Sequence, residues 1–391
     1  MSESYDIVII GAGMVGASAA LALAQNGLKI ALVEYQKPTE FNLNDEIELR
    51  VSAISASSEQ LLSQLGAWSI IQNQRLSPYH KMTVWDENSN GVLAFDSANQ
   101  AQSHLGHIIE NKLIMYALQQ QIKNNKNINC YWENGISQLK EEPNSINITL
   151  NNGQYCQAKL LIAADGRASH TRQMLDIPLI SKSYQQQAIV ANVNTELAHQ
   201  NTAWQRFLST GPLAFLPLNN QQSSVVWSCK NEIAEQLMTL DEQHFCQELG
   251  NAFEFKLGKV ISSSNRASFP LSWQYAAQYV KNRCILIGDA AHGIHPLAGQ
   301  GVNLGFSDVA LLSQSIQQTM LDNPHKTLKK YERQRKHDSL ISLHSMSVIN
   351  ALFTSKSPVI NTLKGMGMNF INQQQSLKNT ITRSAANNIS V

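Results

Sequence analysis

Paired cysteines are missing from this chain of 391 residues. Its five cysteines, Cys130, Cys156, Cys229, Cys246 and Cys284, are scattered, with no CxxC or CxxxxC spacing. Neither a disulfide framework nor a redox-active dithiol is therefore expected, and a reducing cytoplasm is the expected compartment. Excess charge of either sign is missing too: 30 basic against 29 acidic residues leave a formal net charge of +1. That balance, with no nucleic-acid motif, argues against a nucleic acid or a strongly acidic partner. No transmembrane span is expected. The first twenty-odd residues are apolar but begin with Glu3 and Asp6 rather than a basic cluster, so no export signal is expected either. Internal repeats and long low-complexity linkers are absent. At 43% hydrophobic, the chain can bury a large core and is expected to form two intimately joined domains.

Against these absences stand three glycine-bearing segments, each opening from an apolar strand. The stretch from Cys284 to Gly305 reads CILIGDAAHGIHPLAGQGVNLG. Its Gly288-Asp289 puts a carboxylate at the carboxyl end of a strand, where it can accept hydrogen bonds from ribityl hydroxyls of a flavin. The turn Gly299-Gln300-Gly301 then offers free backbone N–H groups at a helix start, a place for the negative charge of a reduced flavin ring. Alone, the segment is equally a glycine-rich connection between a strand and a helix. Near the amino end, the strand Tyr5–Ile10 runs into Gly11-Ala-Gly13-Met-Val-Gly16 and an alanine-rich helix as far as Gln25, with Gly27 as its stop. Gly11 permits the tight turn, Gly13 lets the backbone approach a pyrophosphate, and Gly16 lets helix pack on strand. A second strand, 29–33, ends in Glu34, 18 residues past Gly16, placed for a ribose hydroxyl. An acid there argues for FAD or NAD rather than NADP. The third segment, KLLIAADGRASHTR from Lys159, is by itself a strand and a turn ending at Asp165 and Gly166.

The order GxGxxG, then Asp-Gly followed by Ser and Arg, then Gly-Asp, resembles the flavoprotein monooxygenases of the aromatic-hydroxylase type. More narrowly, GDAAHGIHPLAGQGVNLG, the Arg50-Val-Ser-Ala-Ile-Ser stretch, Leu213-Ala-Phe215-Leu-Pro217-Leu and Ser268-Phe-Pro270-Leu resemble the ubiquinone-biosynthesis hydroxylases acting on 2-polyprenylphenol and related intermediates. The resemblance runs from about residue 5 to about 380. In the tail, PVINTLKGMGMNFI from Pro358 and Leu377-Lys378 resemble the branch acting at ring carbon 5. It implies bound FAD, transient NADH or NADPH, and O2 giving a C4a-hydroperoxide whose terminal oxygen passes to a phenol ring, with no obligatory side-chain base. Ring-site candidates are Phe215, Pro217, His295 and Pro296. Cofactor candidates are Gly11, Gly13, Gly16, Glu34, Arg50, Asn111, Asp165, Gly288, Asp289, Pro296, Gly299, Gln300, Gly301 and Asn303. Of these, Arg50 read alone is a solvated charge; the resemblance places it along the flavin, and Asn111 near it. The resemblance also implies membership of a multiprotein assembly.

The expected fold is α/β: a Rossmann-like FAD-binding domain of residues 1–75, 100–175 and 275–325, interleaved with a mostly antiparallel β-sheet substrate domain of 76–99 and 176–274. A helical region, 326–391, follows. Strand-like composition in 188–194 and 223–229, a turn at Asn219-Asn220, and helical spacing of Leu328, Tyr331, Leu340, Ile341, Leu343, Ile349, Leu352 and Phe353 support it. His292 and His295 have a ligand-like spacing but no third or fourth partner nearby in sequence, so no metal is expected. The basic cluster Lys326, Lys329, Lys330, Arg333, Arg335 and Lys336 reads as a solvated helix face or as a peripheral membrane contact at the inner face of the cytoplasmic membrane. Competing readings are a hydroxylase of another ring carbon or of another aromatic substrate, an FAD-dependent reductase or halogenase, disfavoured by the lack of WxWxIP and paired cysteines, and a non-catalytic flavoprotein subunit of an assembly.

Overall fold

The computed structural model describes residues 3–100, 102–293, 301–355 and 357–386. Five parallel strands form the centre of the first sheet, in the order Cys284–Leu286, Tyr155–Ala163, β1 (Glu3–Ile10), β2 (Ile30–Val33) and Ile128–Tyr131. Both faces are covered, so the strands read as continuous apolar runs rather than alternating ones: Ile7, Val8 and Ile9 are all fully buried. Helix α1 (Met14–Gln25) crosses from β1 to β2 and is buried along most of its length by small alanines. It stops at Asn26, and Gly27 follows with φ of 81°, a left-handed conformation that glycine adopts without strain.

A second sheet of nine strands is mostly antiparallel, built around Leu179–Thr195, Ser223–Lys230, Gly211–Pro217, Thr202–Leu208 and Ala267–Ala276. Segment 76–99 contributes Lys81–Asp86 and Val92–Asp96 to this sheet. Between the two lies a three-stranded sheet, β3 (Val51–Ile54), Gly106–Glu110 and Ser77–Tyr79, followed after β3 by helix α2 (Ala56–Gln64). The short His292–Gly293 strand pairs with Gln274 and Tyr275, so the chain passes directly from the first sheet to the edge of the second.

The carboxyl-terminal helices are His325–Phe353, Pro358–Gln373 and Gln375–Ala386. In the first, Leu328, Tyr331, Arg335, Ser339 and Leu343 are buried at three- and four-residue spacing, one stripe of a helix. This corrects the reading of Arg335 as part of an exposed basic cluster: it is 2% exposed and bonds to Asp308. Lys326, Lys329, Lys330 and Arg333 do face solvent. The second helix is pinned by a buried ion pair, Lys364 Nζ to Asp86 Oδ1 at 3.0 Å. On its opposite side Val359, Leu363, Met366 and Phe370, spaced i, i+4, i+7 and i+11, form an exposed apolar stripe.

Candidate flavin site

Sheet register brings the three glycine segments to one edge. Leu286, Ala163, Ile10, Val33 and Tyr131 are partners across the parallel strands, so the loops that follow them emerge side by side at the carboxyl edge, where α/β sheets take ligands. The contacts between loops are at backbone distance. A Cβ on Gly11 would lie 2.5 Å from the Ala164 carbonyl oxygen, and one on Gly16 would lie 1.9 Å from the Gly11 oxygen. Val15, in the first turn of α1, fills the space beside Gly305 and Gly288, where added Cβ atoms would come within 2.5 Å and 3.2 Å of it. A side chain at Gly305 would collide with Val15, and one at Gly288 would press against it.

Gly13 differs in that a Cβ there would meet nothing within 4 Å. Gly13 is also the N-cap of α1, and no side chain caps the helix. Open space above uncapped N–H donors, at the positive end of a helix dipole, fits a pyrophosphate. Glu34 lies beside it, its carboxylate accepting from Ala12 N at 2.6 Å and Gln36 N at 2.9 Å. Gly301 and Gly166 likewise face open space. The residues present therefore fit a dinucleotide.

Asp289 stands at this edge with its side chain exposed, and its carboxylate hydrogen-bonds to no other described residue. Crowding by protein atoms raises its pKa, while the charges of His292, Arg167 and Arg50 pull the other way. Arg50 and Asp289, 239 positions apart in sequence, are thus close enough to interact. The backbone of the Asp289 loop is held from behind. Gln274 Nε2 donates to the Arg167 and Asp289 carbonyls at 2.9 and 3.3 Å, and buried Arg172 donates to the Ala290 and Arg167 carbonyls at 2.9 and 3.1 Å.

Three cofactor candidates spend their side chains on the protein. Asp165 accepts from Thr171 N and Oγ1 at 2.9 and 2.8 Å and from Ser169 Oγ, holding the short helix His170–Met174. Asn303 donates to the Ala53 carbonyl at 2.8 Å and accepts from Ser58 Oγ at 2.7 Å, fastening the Gly301–Ser315 helix to β3 and α2. Asn111 accepts from Ser52 Oγ at 2.7 Å, and its N–H donates to the Arg50 carbonyl at 2.9 Å. His295, Pro296, Gly299 and Gln300 lie outside the described residues.

Phe215 faces away from β3. Strand side chains alternate between faces. Phe215 lies on the face of Gly211–Pro217 that packs under helices, stacked on Phe253 at 3.9 Å between centroids. Ala214 and Leu216 face the other way, toward Ala53, Ile108, Tyr79 and Met82. These, not Phe215, form the apolar wall next to β3. Pro217 is the buried last residue of the same strand.

Sequence reading missed the group behind the Asp289 loop. Asp308, fully buried, accepts from Gly288 N at 2.8 Å, from Arg335 Nε at 2.6 Å, and lies 2.7 Å from His292 Nε2. The available signal was an acid inside the otherwise apolar helix run SDVALL.

Fold and site together define a flavoprotein with a dinucleotide cleft set against an apolar, mostly antiparallel sheet. A family model described as an FAD binding domain matches residues 4–339. The chain belongs to that family, the FAD-dependent monooxygenases of the aromatic-hydroxylase type. Among its relatives, the ubiquinone biosynthesis monooxygenase COQ6 of Danio rerio is 34% identical over 434 residues, covering 97% of this chain and 89% of the relative. The 3-demethoxyubiquinol 3-hydroxylase of Escherichia coli K12 is 34% identical, covering 94% of each. The crystal structure of p-nitrophenol 4-monooxygenase PnpA from Pseudomonas putida DLL-E4 has the same fold, with a TM-score of 0.79, full coverage of both chains and 15% identity.

Replacing Asp289 with Ala is expected to lower FAD affinity far more than stability, since the side chain supports no described part of the fold. FAD retained after desalting and the thermal midpoint measure the two effects. Undiminished retention would remove Asp289 from the clamp.

Proposed function

We propose that the chain hydroxylates the aromatic ring of a polyprenylphenol intermediate in ubiquinone biosynthesis, at ring carbon 5. The observation that carries the ring-hydroxylase reading is the end-to-end similarity to ubiquinone biosynthesis monooxygenases, over 97% of this chain and 89% of the Danio rerio relative. The tail from Pro358 to Ile371 favours carbon 5 through its resemblance to that branch. Bound FAD supplies electron transfer and the activation of O2. NADH or NADPH, lacking a second fingerprint to hold it, docks transiently and gives two electrons; one oxygen atom enters the ring and the other leaves as water. The chain's own residues position and exclude. The N–H groups of α1 take the pyrophosphate, Glu34 a ribose hydroxyl and Asp289 the ribityl hydroxyls. The wall of Ala53, Ile108, Ala214 and Leu216 keeps water from the reacting ring.

A polyprenyl substrate resides in membrane, and no described helix is long and apolar enough to cross one. We further propose peripheral contact at the inner face of the cytoplasmic membrane, through the stripe Val359, Leu363, Met366 and Phe370. One experiment addresses both. Cells deleted for the gene are expected to accumulate a polyprenylphenol lacking the oxygen at carbon 5, restored by the wild type. A missing oxygen elsewhere would move the carbon, and a normal ubiquinone pool would overturn the substrate. Fractionating the re-expressing cells is expected to find the wild type with membranes and Leu363→Ser/Phe370→Ser in the supernatant; equal partition would dismiss the stripe. Proteins co-purifying from the same cells report on the assembly that the resemblance implies.

A further inference from the structure

On the small three-stranded sheet, pairing of Ile54 with His107 sets a histidine beside the start of α2, one turn before Glu59. His104, on the approach to the same strand, closes the group. His104 Nε2 lies 2.8 Å and His107 Nδ1 3.3 Å from the same oxygen, Glu59 Oε2, and the three donor atoms all lie within 4.8 Å of one another. We propose that Glu59, His104 and His107 bind a divalent transition-metal ion, zinc by preference, with solvent as the fourth ligand.

Two observations carry this beyond proximity. His107 is 5% exposed, yet its Nδ1, aimed at the cluster, makes no hydrogen bond of good geometry. Its one near partner is Glu59 Oε2 at 3.3 Å, and an ion lying between the two would satisfy both. His104 Nδ1 lies 2.7 Å from Ser103 Oγ. When Nδ1–H donates to that hydroxyl, Nε2 keeps the lone pair that an ion in place of its proton would need, as outer hydrogen bonds arrange for metal-binding histidines. The dimensions also suit. Tetrahedral zinc with bonds of about 2.0–2.1 Å separates its ligand atoms by about 3.4 Å. The 3.3 Å pair already has that separation, and the 2.8 Å pair must open by roughly half an ångström. Two imidazoles and one carboxylate are a common zinc set. Among the described residues this is the one such cluster.

The test uses the full-length, FAD-loaded protein stripped of metal and titrated with zinc chloride against a chromophoric chelator. One ion per chain is expected, together with a raised thermal midpoint, because the ion joins α2 to His104, 45 residues further along, and to the strand that follows it. His104→Ala and Glu59→Gln, both at partly exposed positions, are expected to weaken binding at least tenfold. His244→Ala, whose ring pairs with Asp241 elsewhere on the surface, is expected to bind as the wild type does. Circular dichroism establishes that each variant is folded. No stoichiometric binding by the wild type, or equal binding by His104→Ala and Glu59→Gln, overturns the site.

Discussion

Asp308→Ala is expected to cost about 3–5 kcal/mol of stability, because it leaves the buried Arg335 guanidinium with only the partly exposed Asp338, at 3.0 Å, to balance its charge. FAD retention falls with it, since Gly288 N loses its acceptor and the Asp289 loop loses its floor. Denaturant unfolding and flavin fluorescence after desalting measure the two losses. Removing both charges, as Asp308→Leu with Arg335→Met, is expected to recover much of the stability, as apolar replacements of buried pairs often do. It is not expected to recover FAD retention, because Gly288 stays without its partner. An Asp308→Ala protein within about 1 kcal/mol of the wild type would sink the account of a buried charge held in place. The pH dependence has a definite sign. Burial alone would raise the Asp308 carboxyl, but His292, Arg335 and its hydrogen bonds hold it below the ordinary aspartate value. Its contribution is present at neutral pH and lost only as pH falls through that lowered value. The gap between wild type and variant therefore narrows only in strongly acidic solution.

The fingerprint glycines should separate into two kinds of defect. Gly16→Ala drives a Cβ to 1.9 Å from the Gly11 oxygen, so helix and strand must part; overpacking of this kind costs about 1–3 kcal/mol or more. Gly13→Val adds bulk into open space, in extended backbone that valine adopts readily, so its thermal midpoint stays near that of the wild type. The same bulk occupies the pyrophosphate's place, and FAD affinity is expected to drop about 100-fold, roughly 2.7 kcal/mol. Equilibrium titration with FAD, run beside thermal unfolding, tests the pair. A Gly13→Val protein that binds FAD normally would mean that the phosphates lie elsewhere.

These differences reflect what a linear sequence encodes. Gly11, Gly13 and Gly16 were legible because their roles follow from spacing within one turn of chain, and the apolar runs of β1 and β2 follow from burial on both faces. The facing of Phe215 was not legible. All seven residues of Gly211–Pro217 are buried, so no polar alternation marks which parity looks toward the cleft. Arg335 sat at a stripe position of its helix, but a charge among lysines reads as surface until its counter-ion is known. That counter-ion, Asp308, is 27 residues away on another helix. Glu59 and the two histidines become neighbours only through the pairing of β3 with Gly106–Glu110, which neither stretch announces by itself.

The two buried ion pairs set by the carboxyl-terminal helices limit where the chain can be shortened. Arg335 fastens the first of these helices to the dinucleotide half, and Lys364 fastens the second to the Asp86 strand of the other half. Together they form a strap across both halves, anchored at each end by a charge that has no water to fall back on. Cutting before Arg335 leaves Asp308 with only His292 and the Gly288 N–H, and cutting between Phe353 and Lys364 strands Asp86. Beyond Gln373, past both anchors, the chain offers a boundary where a fusion partner can be attached with both ion pairs intact.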